Sequence, residues 1–332
     1  MSIIETILGA LLPMVVTFLL GFVAAWQHEF GSKDASTLNR MVLLYAVPLA
    51  LFAGTVTTSR AALGKDIPLV ITLCIAIIGF YGVVFLFSHS VFRMRVSTSA
   101  LAALTASAPA VPFVGPAVLG DLFGRLSAIP VTIASLVINL TVVPITILLL
   151  ALDSTGTDPQ KNPPATQETE PLASPRMSYS SSVLIAKLIE TVKEPIVWAP
   201  VFAFIIVLCG FHIPQLIIHA LSLLGQASGG VALFACGIVL ASGKINLSKS
   251  VLFFVLLKNI VQPALVLGGL RWIGYGNPIV SETVLTAAIP TMPIVMMLAL
   301  QYRTAQAEAA SSVFLSVMSS VVTMGVFIAL TH

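Results

Sequence analysis

The sequence predicts an all-α integral membrane protein of ten transmembrane helices, arranged as two five-helix repeats inserted in opposite senses. Three observations lead there. The chain is 58% hydrophobic and only 9% charged, with a mean hydropathy of +1.04, whereas soluble domains carry about 25% charged residues. At about 20 apolar residues per crossing, its apolar runs divide into ten. One motif also occurs twice: Leu104-Thr105-Ala106-Ser107-Ala108-Pro109-Ala110-Val111-Pro112-Phe113-Val114 and Leu285-Thr286-Ala287-Ala288-Ile289-Pro290-Thr291-Met292-Pro293-Ile294-Val295. Both copies fit L-T-A-x-x-P-x-x-P-x-V at an offset of 181.

The spans are expected at residues 4–27, 37–58, 66–89, 97–122, 125–152, 187–209, 214–241, 248–272, 281–302 and 305–330. The first carries Glu5, has no Lys or Arg before it, and is longer than a signal peptide's apolar region, so it reads as an uncleaved span. The second holds Ala50-Leu51-Phe52-Ala53, which returns in the seventh as Ala232-Leu233-Phe234-Ala235 at an offset of 182. The fourth and ninth contain the proline pairs. Proline removes a backbone donor and clashes with the preceding turn, so two prolines three apart end one half-helix and start another. In lipid the freed backbone groups need protein or a watery cavity around them.

Between the fifth and sixth spans, residues 153–182 hold five prolines, mixed charges and many Ser and Thr. This composition does not build a core and reads as a disordered tether. It separates residues 1–152, the first repeat, from 183–332, the second. Five spans per half is an odd number, so the halves insert in opposite orientations. Lys and Arg set the sides: with both termini outside, eleven lie inside and four outside, Lys258 in mid-span being left out. The tether is then cytoplasmic.

Paired interruptions in corresponding places of two halves point to a transporter's substrate site. The second half-helices begin just after Pro109–Pro112 and Pro290–Pro293, where exposed N–H groups and the positive dipole end suit a small carboxylate. Thr105, Ser107, Thr286 and Thr291 add hydroxyls beside the breaks, and Ala110, Phe113 and Met292 complete the segments. Asn139 lies mid-span in the fifth helix; at the same offset the tenth has Ser320, near Ser316. These helices follow the broken ones and are expected to line them. Gln226 opens the seventh span, facing a cavity or the surface. Lys258 is the one basic residue deep in a span and has no acidic residue at matching depth. It is a coupling candidate, against the alternative of a snorkelling interfacial lysine.

Several classes are excluded or weakened. Cys74, Cys209 and Cys236 are odd in number and lie in apolar runs, which argues against a disulfide framework. The five histidines fall at span ends or loops without metal-ligand spacing, and G-x-S-x-G, P-loop and H-E-x-x-H motifs are missing. No enzyme activity, cofactor or metal is expected, and a net charge of +3 does not suggest nucleic acid. An intramembrane hydrolase would need a nucleophile and base at depth. A receptor or scaffold without transport leaves the doubled break unused.

The chain resembles the auxin efflux carrier family in its shorter prokaryotic form. The resemblance is carried by Leu38-Asn39-Arg40 with Pro48-Leu49-Ala50-Leu51-Phe52, Gly115 through Leu122-Phe123-Gly124, Leu224-Gly225-Gln226-Ala227 with Ala232-Leu233, Lys258 with Pro263, and Pro290-Thr291 followed by Tyr302. It implies crossed broken helices four and nine, a scaffold part and a transport part, and elevator-like alternating access. It also implies organic-anion substrates, with a homodimer as a family-level expectation. Many members have asparagine where this chain has Ala110 and Ile294. The Pro-Phe-Val-Gly-Pro run is nearest the bacterial malonate-carrier branch. The reading is therefore a secondary carrier of malonate or similar carboxylates in the bacterial inner membrane, with the lipid bilayer as its surroundings and a proton as candidate coupling ion. Related bile-acid symporters bind sodium through acidic and amide groups at their crossover. This chain has no acidic residue there, which disfavours the alternative of a sodium-coupled symporter.

Overall fold

The computed structural model describes residues 3–57, 67–154, 189, 191–211, 213–242 and 246–331. Apart from an isolated two-residue bridge, the described residues are all helical or in connections. Seven helices are long and apolar enough to cross a membrane. They are α1 (Ile3–Trp26), α2 (Ser32–Val56), α3 (Ile67–Ser90), α6 (Ala128–Asp153), α8 (Gln215–Ser242), α9 (Lys249–Ile273) and α12 (Gln306–Thr331). Shorter helices complete the fold: α4 (Val96–Ser107), α5 (Val111–Phe123), α7 (Pro195–Cys209), α10 (Ile279–Ala288) and α11 (Ile294–Gln301). Each predicted span coincides with one of the long helices, with α7, or with a broken pair, α4–α5 or α10–α11.

The differences lie at the ends. α2 starts five residues earlier than its apolar run, at Ser32, because Asp34 Oδ2 accepts from the Gly31 N–H at 2.8 Å and closes the first turn. α7 starts at Pro195, where proline's missing donor is harmless; of the expected turn before it, 187, 188 and 190 lie outside the described residues. α6 continues through Asp153, which was expected in the tether. There Asp153 is buried, accepts from Ser97 Oγ, and pairs with Arg95 at 3.4 Å. The rest of the expected tether, residues 155–182, lies outside the described residues.

The broken helices form the centre. Residues 99–111 and 280–299 are buried throughout, polar side chains such as Ser99, Thr105, Thr283 and Thr286 included. Around them, close approaches depend on glycine. A Cβ on Gly21 would fall 2.0 Å from the Phe234 carbonyl oxygen, and one on Gly237 2.2 Å from that of Phe18, so α1 and α8 pack backbone to backbone. Gly225 of α8 meets the Ala50 backbone of α2 in the same way, at 2.8 Å.

Four long helices carry a π-turn: Val42–Ala46 in α2, Ile75–Gly79 in α3, Ile138–Val142 in α6 and Leu257–Val261 in α9. Pro48, Pro144 and Pro263 each stand two residues beyond one of them. A widened turn relieves the clash of the ring with the preceding carbonyl without breaking the helix. The turns of α3 and α9 lie 182 residues apart.

Candidate functional site

Two breaks in apolar helices create the site. α4 ends at Ser107 and α5 starts at Val111; α10 ends at Ala288 and α11 starts at Ile294. The two interruptions meet as an antiparallel bridge between Pro109 and Thr291. The Ala110 N–H donates to the Pro290 carbonyl at 2.8 Å, and the Met292 N–H to the Ala108 carbonyl at 3.0 Å. Each break thus supplies donors and acceptors to the other, which is how unladdered backbone survives in a buried interior. Thr291 adds two ties. Its hydroxyl donates to the Thr105 carbonyl at 2.9 Å, and its N–H donates to Ser316 Oγ at 2.9 Å. Ser316 in turn donates to Asn259 Oδ1 at 2.7 Å, and Asn259 Nδ2 returns to the Ser316 carbonyl and to Ser319 Oγ, both at 2.7 Å.

Lys258 is fully buried, so it does not snorkel. Its Nζ donates to the Ala287 carbonyl at 2.8 Å and to Gln262 Oε1 at 2.7 Å. Gln262 Nε2 donates to the Ser107 carbonyl at 3.2 Å and to the Ala76 carbonyl at 2.9 Å. The lysine thus caps the C-terminal end of α10 directly and that of α4 through Gln262. Each helix C-terminus is equivalent to about half a negative charge. The two hydrogen bonds of Nζ, to the end of α10 and to Gln262, account for a buried lysine without a carboxylate.

A cavity of about 700 Å³ reaches this centre from one side. It is walled by α1, α2, α5, α6 and α8, and of the predicted residues it brings together Pro112, Phe113, Asn139 and Gln226. The start of α5 forms its deep end. Phe113 packs on Gly229, where a Cβ would sit 2.5 Å from the ring. Asn139 Oδ1 and Ser228 Oγ, both buried residues lining the cavity, have no hydrogen-bond partner. A smaller cavity of about 340 Å³ touches Thr105, the N-terminal turns of α9 and α12, and Glu308. Its lining helices α4, α9 and α12 contribute nothing to the larger cavity.

The remaining predicted residues serve the crossing instead. The Ser107 and Thr286 hydroxyls turn back onto the carbonyls of Ala103 and Glu282, and that of Ser320 onto Val317. Thr105 does the same onto Leu101. Pro290, Thr291, Met292, Pro293 and Ser316 line neither cavity. Of the amide donors just after the proline pairs, expected to face a carboxylate, those of Phe113 and Val114 bond the Ala110 carbonyl and that of Val295 the Met292 carbonyl, while the donors of Ala110, Thr291 and Met292 are taken up by the bridge and by Ser316. Sequence reasoning gave no site role to Ser228, Asn259, Gln262 or Asn39; Asn39 Nδ2 donates to the Met297 carbonyl of α11 at 3.1 Å. For three of these the available signal was an amide side chain within an apolar run. Ser228, between small residues, carried none.

The match to known proteins runs nearly end to end: residues 6–328 fit the family described as membrane transport protein. The chain belongs to this family, the auxin efflux carrier family. It is 30% identical over 324 residues to the uncharacterized transporter YfdV of Escherichia coli strain K12, covering 97% of this chain and 96% of that protein. The YfdV proteins of E. coli O157:H7 and Shigella flexneri are similar to the same degree. The protein is thus a multi-pass membrane transporter and not an enzyme.

Proposed function

We propose that this transporter carries small organic anions, malonate or similar carboxylates, as a secondary carrier, with the substrate held where the larger cavity meets the crossed breaks. One observation supports this most: a membrane-embedded cavity of about 700 Å³ ends on the first turn of α5, beside the unpartnered polar atoms of Asn139 and Ser228. A pocket of this size suits a small molecule, and a helix N-terminus favours an anion. Pro112, Phe113, Asn139 and Gln226 are its contacts from the predicted set. The crossing residues Thr105, Ser107, Pro109, Ala110, Thr286, Pro290, Thr291, Met292, Pro293, Ser316 and Ser320 support it from behind.

The proposed architecture is ten spans in two inverted repeats, 1–152 and 183–332, joined by a cytoplasmic tether, with both termini outside the bacterial inner membrane. Proline pairs 181 residues apart, and π-turns 182 apart, support the repeat. Two cavities lined by different helices, α1, α2, α5, α6 and α8 against α4, α9 and α12, suit elevator-type alternating access. Lys258 is assigned to holding the crossing. A coupling role would require it to release Ala287. Purified protein in liposomes should take up labelled malonate or a related acid in a saturable, competable manner. Absence of uptake across a panel of carboxylates would sink the reading.

A further inference from the structure

Resting on the organic-anion reading above, we infer that the larger cavity binds its dicarboxylic substrate as the singly protonated monoanion, so that the proton crosses on the substrate rather than on the protein. The cavity is built for hydrogen bonds but not for two negative charges. Among the described residues its lining contains no Lys, Arg, His, Asp or Glu. Hydroxyls that could donate are partly committed: Thr17 to the Pro13 carbonyl, Thr57 to Gly54 and Ser222 to His219. Backbone donors at the crossing are spent on the bridge. Of the lining's fully buried side-chain atoms, those without a partner are an acceptor, Asn139 Oδ1, and a hydroxyl, Ser228 Oγ, which both gives and takes a proton. An acceptor without a donor fits a carboxylic O–H. The positive end of α5 offers about half a charge, enough to favour one carboxylate and not two. Burying a second, unpaired carboxylate is strongly unfavourable.

The charged and titratable groups on the surrounding helices stand outside the lining. Glu5 of α1, Asp121 of α5 and His219 of α8 are exposed. On α2, Lys33, Asp34 and Arg40 lie in the first turns, remote from its cavity-lining end, and Tyr45 is exposed. On α3, Tyr81 bonds Thr146 at 2.9 Å, and Cys74 and His89 line no part of the cavity. Cys209 of α7 is exposed, Cys236 of α8 is buried against other residues, and Asp153 lies at the far end of α6 with Arg95. Lys258 points to Ala287 and Gln262, away from the cavity.

The test compares labelled malonate with its monomethyl ester, whose charge is fixed at one, in proteoliposomes with equal pH on both sides and no membrane potential. Malonate uptake at sub-saturating concentration should fall about tenfold per pH unit above the acid's second ionisation, the rate at which the monoanion disappears. Ester uptake, weaker than that of malonate at low pH because the methyl group replaces the O–H offered to Asn139, should stay level with pH within about twofold, since its charge is constant over that range. Malonate uptake that is level with pH would show the dianion bound and overturn the inference. Parallel decline of both would place the titration on the protein and also overturn it. Uptake of neither at any pH would instead remove the organic-anion reading on which it rests.

Discussion

At the scale of single residues, the crossing and the cavity ask different things of their side chains, and substitutions should separate them. Lys258→Ala removes an ammonium that two carbonyl-ended helices share through Ala287 and Gln262. The variant leaves two buried neutral acceptors, the Ala287 carbonyl and Gln262 Oε1, without their donor, at about 1–3 kcal/mol each. The variant should therefore melt well below the parent in detergent, whereas Ser320→Ala, which loses only a bond back to Val317, should hardly change. A Lys258→Ala protein with unaltered melting but no pH dependence of uptake would return this lysine to coupling. Glycine positions divide in the same way. At Gly237 an added Cβ meets the Phe18 backbone, which cannot yield, so Gly237→Ala should impair insertion or stability. At Gly229 it meets the Phe113 ring, which can turn aside into the cavity. Gly229→Ala should fold and lose uptake several-fold, as read from transport normalised to inserted protein. Equal loss of folding in both would show that Gly229 is packing rather than cavity wall.

At the scale of elements, the organising feature is a helix that stops and restarts beside another doing the same. The proline pairs prevent either helix from closing its ladder, and the bridge gives the released groups to each other. Pro109→Ala with Pro112→Ala should let α4 and α5 draw toward one helix, withdrawing the Ala110 donor from Pro290 and moving the deep wall of the cavity. Substrate binding should be lost while far-UV circular dichroism stays helical or rises slightly. The doubled substitution at Pro290 and Pro293 should act alike, because the bridge needs both partners. Retained binding in either variant would show that the breaks are structural only. The π-turns show the milder response to the same residue: where proline is single, as at Pro48, Pro144 and Pro263, a widened turn suffices and the helix runs on.

At the scale of the molecule, the proposed orientation, with the segment 153–182 and the starts of α2, α4, α9 and α12 in the cytoplasm, rests on the distribution of Lys and Arg. In a background with Cys74, Cys209 and Cys236 replaced, single cysteines in that segment should be labelled only after the membrane is made permeable. Cysteines next to Arg271 should react from outside. Labelling of the segment from outside would reverse the orientation. Shortening the segment, while leaving enough chain to join α6 to α7, should leave transport largely intact; lost transport with normal insertion would show that it does more than tether.

What the sequence determined by itself is what acts locally. Apolar length marks the helices and their order, because backbone groups in lipid are satisfied only within a continuous helix. Paired prolines mark the two breaks, because each ring acts on the turn before it. Of the cavity contacts, Pro112 was legible as a helix breaker and Asn139 as a polar residue in mid-span, Phe113 only as the neighbour of the break and Gln226 only as a polar residue opening the seventh span. The helix ends shifted wherever a cap rather than hydropathy decided, as at Gly31 and Asp34. Only the tertiary structure decided which groups face each other: Lys258 and Ala287 are 29 residues apart, Gln262 and Ser107 are 155, and Thr291 and Thr105 are 186. A hydrogen bond is set by the meeting of two remote segments and leaves no period or spacing in either. For that reason the bridge's use of its own amide donors, and the sharing of one cavity by the unpartnered Ser228 and Asn139, emerge only when α5, α6 and α8 close around the same space.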